Sequence, residues 1–175
     1  MTKIYFNSLI KTFFLFTYPL CLAIAIPKHT LAQHIEGKVI AVKDGDTIEL
    51  LINNQPTKVR LYGIDCPELH QDFGREATKY TASQCFNQKV KLNSYGKDKY
   101  KRVLGEIILP NGKILNQLIV EHGFAWRYKH SKDAELLRLE QKARAKKLGL
   151  WIMLKPCPPW EFRKSVAQKN PQPKQ

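Results

Sequence analysis

The alternation of apolar and polar residues first predicts a group of short strands. Residues 37–43 are rich in Val and Ile, residues 46–52 alternate regularly, and residues 58–64 form a third run of the same kind. The sequences Asp-Gly at 44–45 and Asn-Asn at 53–54 are turn signals between these runs. We therefore expect a three-stranded antiparallel meander at the start of the domain.

Helical patterns and two more strands follow this meander. Residues 89–95 and 101–109 have strand character, while residues 75–86, 115–122 and 133–148 have helical character. Short strands with interspersed helices are typical of a small barrel that carries helices on its outside. The prediction is an α+β fold, mainly β, in which a five-stranded antiparallel OB-type barrel carries about three helices.

One carboxylate falls on the apolar face of the second predicted strand. By alternation, Asp46 shares a face with Ile48, Leu50 and Ile52. We therefore expect it where the barrel interior opens at one end. A carboxylate is costly there unless another group compensates its charge. A bound cation would compensate it.

The first residues carry the pattern of a secretory signal peptide. Lys3 and Lys11 come before or within an apolar region, and the stretch from 12 to Ile26 has no charge. The alternative is a permanent membrane anchor. However, the uncharged run is short for a bilayer span of about twenty residues, and Pro19 interrupts it. We expect cleavage after Ala32, no stable membrane span afterwards, and a secreted or periplasmic protein.

Composition divides the chain into three parts. Residues 1–32 are the expected signal peptide, and residues 33–163 suit one domain, since domains of roughly 100 to 150 residues are the commonest. Residues 164–175 contain two prolines among polar and basic residues, which predicts a disordered basic tail. The mature protein is expected to be a monomer.

Charge and cysteine content narrow the class of protein. The formal net charge is +14, so the domain is expected to bind a polyanion, which can be nucleic acid, an anionic surface or an acidic polysaccharide. Of the four cysteines, Cys66, Cys85 and Cys157 remain after the expected cleavage. Export permits a disulfide, but an odd number leaves at least one thiol unpaired in a monomer. Which two pair, if any, stays open.

The strongest chemical signal is an ordered set of acids and arginines. The acids are Asp46, Asp65 and Glu68, and the arginines are Arg60 and Arg102. Each residue alone has an ordinary interpretation, as a turn residue or a solvated strand residue. Together they supply carboxylate ligands for Ca²⁺, guanidinium groups that grip phosphate, and a spare carboxylate that can deprotonate water. These are the parts of a metal-assisted phosphodiesterase.

This combination resembles the staphylococcal nuclease (thermonuclease) family. The resemblance extends from about residue 36 to residue 151, nearly the whole expected domain. It implies a Ca²⁺-dependent nuclease that cleaves DNA and RNA with little sequence preference. The matching stretches, in order, are Asp-Gly-Asp-Thr at 44–47, Val-Arg-Leu at 59–61, Gly-Ile-Asp-Cys-Pro-Glu at 63–68, Phe-Gly-Arg-Glu-Ala at 73–77, Asp-Lys-Tyr-Lys-Arg at 98–102, Gly-Phe-Ala at 123–125 and Gly-Leu-Trp at 149–151.

The resemblance also implies roles for the matched acids. Asp46 and Asp65 would bind Ca²⁺ with the help of the backbone carbonyl of Cys66. Glu68 would be the general base that activates a water molecule for in-line attack at phosphorus. His70 is a rival base because its ordinary pKa is close to neutral. The alternative for His70 is an exposed loop residue.

Basic and aromatic residues would contact the nucleic acid. By the resemblance, Arg60 and Arg102 would hold the phosphate and offset the negative charge of the transition state. The residue before the second arginine is usually Gly in the family. Here it is Lys101, which would add roughly 1 kcal/mol of strain at a positive φ and place Arg102 differently. Lys99 and Tyr100 match positions near the scissile nucleotide. Stacking on bases is expected for Trp126 and Tyr128, with burial in the core as the alternative.

Two other classes of protein are alternatives to the enzyme. The first is a non-catalytic nucleic-acid-binding module on the same OB fold, since fold does not settle function. Such a module gains nothing from buried carboxylates, yet all three acids and both arginines are present. The second is a basic protein that binds acidic polysaccharide, which explains the charge but not the acids. The sequence therefore favours the enzyme.

Overall fold

The computed structural model describes residues 34–169 of the 175-residue chain. The predicted signal peptide and its cleavage site lie outside the described residues. Among the helices of residues 34–169, none has the length and apolar character that would let it cross a membrane.

Seven strands carry the β structure of the described region. Five of them close a barrel, and the two short ones pair with each other in a separate two-stranded sheet. The predicted α+β fold built on a five-stranded OB-type barrel is confirmed. The strands are β1 (Ile35–Val42), β2 (Thr47–Ile52), β3 (Gln55–Leu61), β4 (Ile64–Asp65), β5 (Lys89–Lys97), β6 (Val103–Ile108) and β7 (Trp126–Arg127).

Residues 34–169 also form four α-helices, one more than the prediction. The first three agree with the predicted helices to within a few residues, and a short 3-10 helix covers Gly149–Ile152. The helices are α1 (Gly74–Cys85), α2 (Leu115–Glu121), α3 (Ala134–Ala145) and α4 (Pro159–Lys169).

The barrel is mixed rather than wholly antiparallel. Its strand order is β1-β2-β3-β6-β5, and the β3–β6 pair is parallel, with Val59 opposite Val103. The other four neighbouring pairs are antiparallel. A closed barrel of five strands has five neighbouring pairs, which is an odd number. Strand directions therefore cannot alternate around the whole barrel, and at least one pair must be parallel. The all-antiparallel prediction was therefore wrong for one pair, and topology requires that exception.

The barrel interior is filled by the apolar residues that alternate along its strands. Burial of these side chains is the main favourable contribution to folding, at about 25 cal/mol per Å² of apolar surface. One polar side chain bridges this core. Asn116 on α2 donates to the carbonyls of Tyr62 and Gly105 and accepts from the Ile107 amide, which fixes α2 against the end of β3. Side chains with at most 1% exposure include Val39, Ile48, Leu50, Val59, Leu61, Leu92 and Ile107.

Helix α4 overturns part of the prediction for the C-terminus. Residues 164–169 are helical, so the predicted disordered tail is wrong for them, while residues 170–175 lie outside the described residues. The helix begins at Pro159, which suits a first helical position, and has Glu161 in its first turn. Trp160 packs against the cluster around Trp151. These start and anchor residues lie before the stretch from which disorder was inferred.

All three cysteines of the described region are free thiols. Cys66 and Cys85 are buried and Cys157 is exposed. The sequence left open which cysteines pair, and in the structure all three are unpaired. The fold of residues 34–169 depends on packing rather than on a covalent cross-link.

Candidate active site

The turn between β1 and β2 is held by close packing against α1. A Cβ atom at Gly45 would lie 2.7 Å from Cβ of Cys66 and 2.9 Å from Cβ of Ala77, so only glycine fits. The Thr81 hydroxyl on α1 donates to the Gly45 carbonyl at 2.7 Å. Asp44 accepts a hydrogen bond from the Asp46 amide at 3.1 Å, which agrees with its predicted role in the turn.

Asp46 follows this turn at the open end of the barrel, as alternation predicted. Its residue exposure is 6%, and it accepts a hydrogen bond from the Cys66 amide at 2.6 Å. The Thr47 hydroxyl donates at 3.3 Å, and Nη2 of Arg60 lies 3.1 Å away. Burial raises the pKa of Asp46 to about 7, although Arg60 opposes that rise. Asp46 is thus a buried carboxylate that one guanidinium does not fully compensate.

Arg60 connects the acids to the backbone of the corner between β3 and β4. Its Nη1 donates to the carbonyls of Leu61 and Ile64, both at 3.0 Å. Its Nη2 donates to Asp65 Oδ1 at 2.8 Å and also contacts Asp46. The Arg60 side chain is only 15% exposed. The guanidinium therefore holds both acids and two carbonyls in one arrangement.

Asp65 and Glu68 are positioned by backbone contacts, which are strand pairing for Asp65 and a turn for Glu68. Asp65 lies on β4, opposite Trp126 of β7, and its side chain is 1% exposed. The Glu68 carbonyl accepts from the Gln71 amide at 2.8 Å and packs directly on Gly74, where a Cβ atom would lie 1.9 Å from it. Gly74 thus permits α1 to start against the Glu68 loop. The Glu68 side chain itself is 40% exposed and accessible from solvent.

Arg102 is oriented by Asp98, four residues earlier. Asp98 Oδ2 accepts from Nε of Arg102 at 2.8 Å, and Oδ1 accepts from the Arg102 and Tyr100 amides, both at 2.9 Å. Hydrogen bonds from Arg102 lower the pKa of Asp98, so this carboxylate is ionised and attractive to the guanidinium. Lys101 has φ +64, a left-handed conformation that favours glycine. Strain was expected at this position because glycine is usual there in the family. The Asp98 contacts fix Arg102 despite that strain.

A single cavity of about 670 Å³ collects most of the predicted site residues. Tyr100 is 67% exposed there, with Nζ of Lys99 and the guanidinium of Arg102 5.0 and 5.5 Å from its ring centre. The roles assigned to these residues stay predictions, but the shared location is an observation. The predicted residues that line the cavity are Asp46, Arg60, Asp65, Cys66, Glu68, Lys99, Tyr100, Arg102 and Tyr128.

Trp126 is the predicted substrate contact that the structure contradicts. It is 3% exposed and does not line the cavity, and its ring packs edge-on against Trp151 at 5.0 Å. Strand alternation does not explain the difference, because residues two apart in a strand share a face. Tyr128 instead lies just after β7 ends at Arg127, where it is 37% exposed and lines the cavity. Of the two aromatic residues, only Tyr128 is available to stack on a base.

Three further residues belong to the site although no role was predicted for them. Thr47 bridges Asp46 and Arg102, and Asp98 orients Arg102. The i, i+4 spacing indicates an ion pair only on a helix, and Asp98 and Arg102 lie in the turn between β5 and β6, so the sequence offered no local signal for this contact. Arg163 on α4 contacts the acids, and nothing local in the sequence indicates this. His70 is exposed and does not line the cavity, so it is removed as a rival base.

The donor set at the open end of the barrel suits a hard cation. Residues 34–169 contain no group of three or more His, Cys, Asp or Glu side chains disposed to hold a metal. Two carboxylates, Asp46 and Asp65, do converge on Nη2 of Arg60. Ca²⁺ accepts carboxylate, carbonyl and water oxygens in flexible geometry. Burial raises the pKa of the Cys66 thiol, which disfavours a thiolate ligand and leaves oxygen donors.

Comparison with known proteins identifies the family of this chain. The family model described as staphylococcal nuclease homologue matches residues 58–153. An uncharacterized endonuclease of Escherichia coli is 39% identical over 134 residues, which is 76% of this chain and 88% of the relative. A micrococcal nuclease of Shigella flexneri is 37% identical over 145 residues, covering 77% and 82% of the two chains. The predicted family is confirmed: this chain belongs to the staphylococcal nuclease family.

Proposed function

We propose that this protein is an exported, Ca²⁺-dependent nuclease that hydrolyses phosphodiester bonds of DNA and RNA with low sequence specificity. The observation that carries the proposal is the convergence of three acids and two arginines in one cavity. Membership of the family, with relatives named endonuclease and micrococcal nuclease, supports nucleic-acid hydrolysis. The acids and arginines are Asp46, Asp65, Glu68, Arg60 and Arg102.

The acids activate the water nucleophile and would hold the metal ion. Asp46, Asp65 and the Cys66 carbonyl would hold Ca²⁺, which when bound adds positive charge near the phosphate and polarises water. Glu68 accepts a proton from the attacking water as the new oxygen–phosphorus bond forms. The ester oxygen on the opposite side leaves with the bonding electron pair and takes up a proton from solvent. The 40% exposure of the Glu68 side chain gives water access to this base.

The two arginines have different roles: Arg60 positions the acids, and Arg102 binds the substrate phosphate. Arg60 is committed to two backbone carbonyls and two carboxylates, so it chiefly sets the geometry of the acids. Arg102 uses Nε for Asp98 and Nη1 for Thr47. Among residues 34–169, its Nη2 has no hydrogen-bond partner, which leaves that group free to bind a phosphate oxygen. Charge at the phosphate is then neutralised as the transition state forms.

Low sequence specificity follows from the kinds of contact that the cavity offers. Lys99 and Arg102 contact phosphate, and phosphate contacts carry no sequence information. Tyr100 and Tyr128 present rings to the cavity, and stacking on a base contributes about 1–3 kcal/mol whatever the base. The chain's formal charge of +14 favours association with either nucleic acid. The predicted signal peptide, residues 1–32, is the basis for proposing export.

Digestion of supercoiled plasmid DNA and of a mixed-sequence RNA in Ca²⁺ tests the proposal. We expect nicked and then fragmented DNA, together with short RNA products of many sequences. A protein that retards both nucleic acids on a gel but leaves them intact in Ca²⁺ would be a binding module instead.

Replacement of each arginine by glutamine is expected to separate their roles. Arg102→Gln should lower turnover about a hundredfold through loss of a phosphate contact, with little change in stability because the side chain is 28% exposed. Arg60→Gln should lower turnover and also the free energy of unfolding by about 3–5 kcal/mol, because two acids lose a buried partner. Single-turnover kinetics and urea unfolding measure both effects. Equal stability losses in the two variants would contradict this division.

A further inference from the structure

Helix α4 brings a third arginine to the acids of the site. Nη2 of Arg163 donates to Asp65 Oδ2 at 2.9 Å, and Nη1 donates to Asp65 Oδ1 at 3.3 Å. Nη1 also donates to Glu68 Oε1 at 2.6 Å. Both oxygens of the Asp65 carboxylate are thus bound by one guanidinium. Paired hydrogen bonds of this kind are among the stronger charge-assisted contacts.

Two anchors hold the helix in this position. Trp160 on α4 packs against the apolar cluster around Trp151. Gln71 accepts from the Glu68 amide at 3.2 Å and donates through Nε2 to the carbonyl of Cys157, just before the helix. The loop that carries Glu68 is therefore joined to the segment that leads into α4. The placement of Arg163 is a built feature of the fold rather than a chance surface contact.

The contact is also reversible in principle. The Arg163 side chain is 47% exposed and that of Glu68 is 40% exposed, so solvent weakens their attraction. Asp65 in contrast has a 1% exposed side chain, and its charge requires a positive partner. Two partners of the same sign, a guanidinium and a divalent cation, would compete for its oxygens.

We propose that Arg163 is an internal cation of the site, which binds Asp65 and Glu68 when no metal is bound and must be displaced for Ca²⁺ to bind. This inference rests on the proposed function, because it takes Asp65 as a metal ligand and Glu68 as the base. Release of Arg163 frees Oδ2 of Asp65 and the Glu68 carboxylate together, while Oδ1 of Asp65 keeps its 2.8 Å hydrogen bond from Arg60. Metal binding and exposure of the base are thereby coupled.

Calcium titration calorimetry of matched variants tests this competition. Arg163→Gln removes the contacts with the acids, whereas Lys164→Gln removes one positive charge from the next, exposed position of the same helix. The dissociation constant for Ca²⁺ should be up to about fivefold lower in Arg163→Gln, as expected for loss of a half-exposed charge pair. Lys164→Gln should match the original protein. Hydrogen exchange should show faster exchange of the α4 amides when the original protein is saturated with Ca²⁺.

The outcomes separate this inference from the function on which it rests. Equal Ca²⁺ affinities in the two glutamine variants, or α4 exchange that is unchanged by Ca²⁺, would overturn the role of Arg163 and leave the metal site intact. Absence of Ca²⁺ binding in the original protein and in both variants would instead overturn the metal part of the proposed function, and this inference with it. Binding by Arg163→Gln alone would support the competition in its strongest form.

Discussion

Chelation of Ca²⁺ with EGTA is expected to lower the rate of DNA hydrolysis by at least about a thousandfold, as loss of several kcal/mol of charge stabilisation implies. The physical reason lies in Asp46 and Asp65. Both carboxylates are almost fully buried and would hold the cation, so without it the phosphate and the attacking water lose the positive charge that stabilises the transition state. The initial rate on a fluorogenic oligonucleotide, with and without EGTA, measures the effect.

Two controls make the chelation result specific. Addition of excess Ca²⁺ after EGTA should restore the rate, and Asp65→Asn should require more Ca²⁺ than the original protein to reach half of its maximal rate. Asp72→Asn removes a carboxylate from an exposed position that does not line the cavity, and it should respond as the original protein does. A rate that EGTA leaves unchanged would refute dependence on Ca²⁺.

Substitution of the proposed general base is expected to have the second large effect. Glu68→Gln keeps the size of the side chain and an oxygen that can accept from Arg163, but an amide does not take up the proton of water. Turnover should fall about a hundredfold to ten-thousandfold, the usual contribution of general base catalysis. Binding of a fluorescent oligonucleotide should change little, because Glu68 supplies no positive charge. Single-turnover rates and fluorescence anisotropy give the two quantities.

The matched control for this variant is Glu76→Gln. Glu76 lies in the first turn of α1, away from the residues that line the cavity, and its removal changes the net charge by the same amount. We expect near-normal turnover from it. If Glu68→Gln retains normal turnover while remaining folded, Glu68 is not the base.

Local pattern was sufficient for the five barrel strands and the first three helices, but it did not predict the short strands β4 and β7. Alternation in β2 and β3 places Ile48, Leu50 and Val59 inside the barrel, because side chains of a strand point alternately to its two faces. The parallel β3–β6 pair was also determined in principle, since five strands cannot close with alternating directions throughout. Helix α4 as a whole was missed, because composition averages over a segment and overlooks a single anchor such as Trp160.

Local sequence pattern did not predict which aromatic side chain is exposed and which is buried. Trp126 and Tyr128 are two residues apart in the same motif, yet one packs on Trp151 and the other faces the cavity. No local feature of the sequence distinguishes these two aromatic residues. Packing against Trp151 buries Trp126, whereas Tyr128 follows β7 and lines the cavity. The same holds for Lys101, whose positive φ was anticipated but whose effect on Arg102 depends on the contacts from Asp98.

By itself the sequence determined the barrel, the membership of the family and the identity of the acids and arginines. These follow from local periodicity and from residue types in a fixed order, which are properties of short segments. Tertiary structure alone decided that Arg163 reaches Asp65 from 98 residues away, and that Arg60 bonds the acids while Nη2 of Arg102 has no hydrogen-bond partner among residues 34–169. Contacts over such separations depend on how α4 and the barrel pack, and packing is a property of the whole domain.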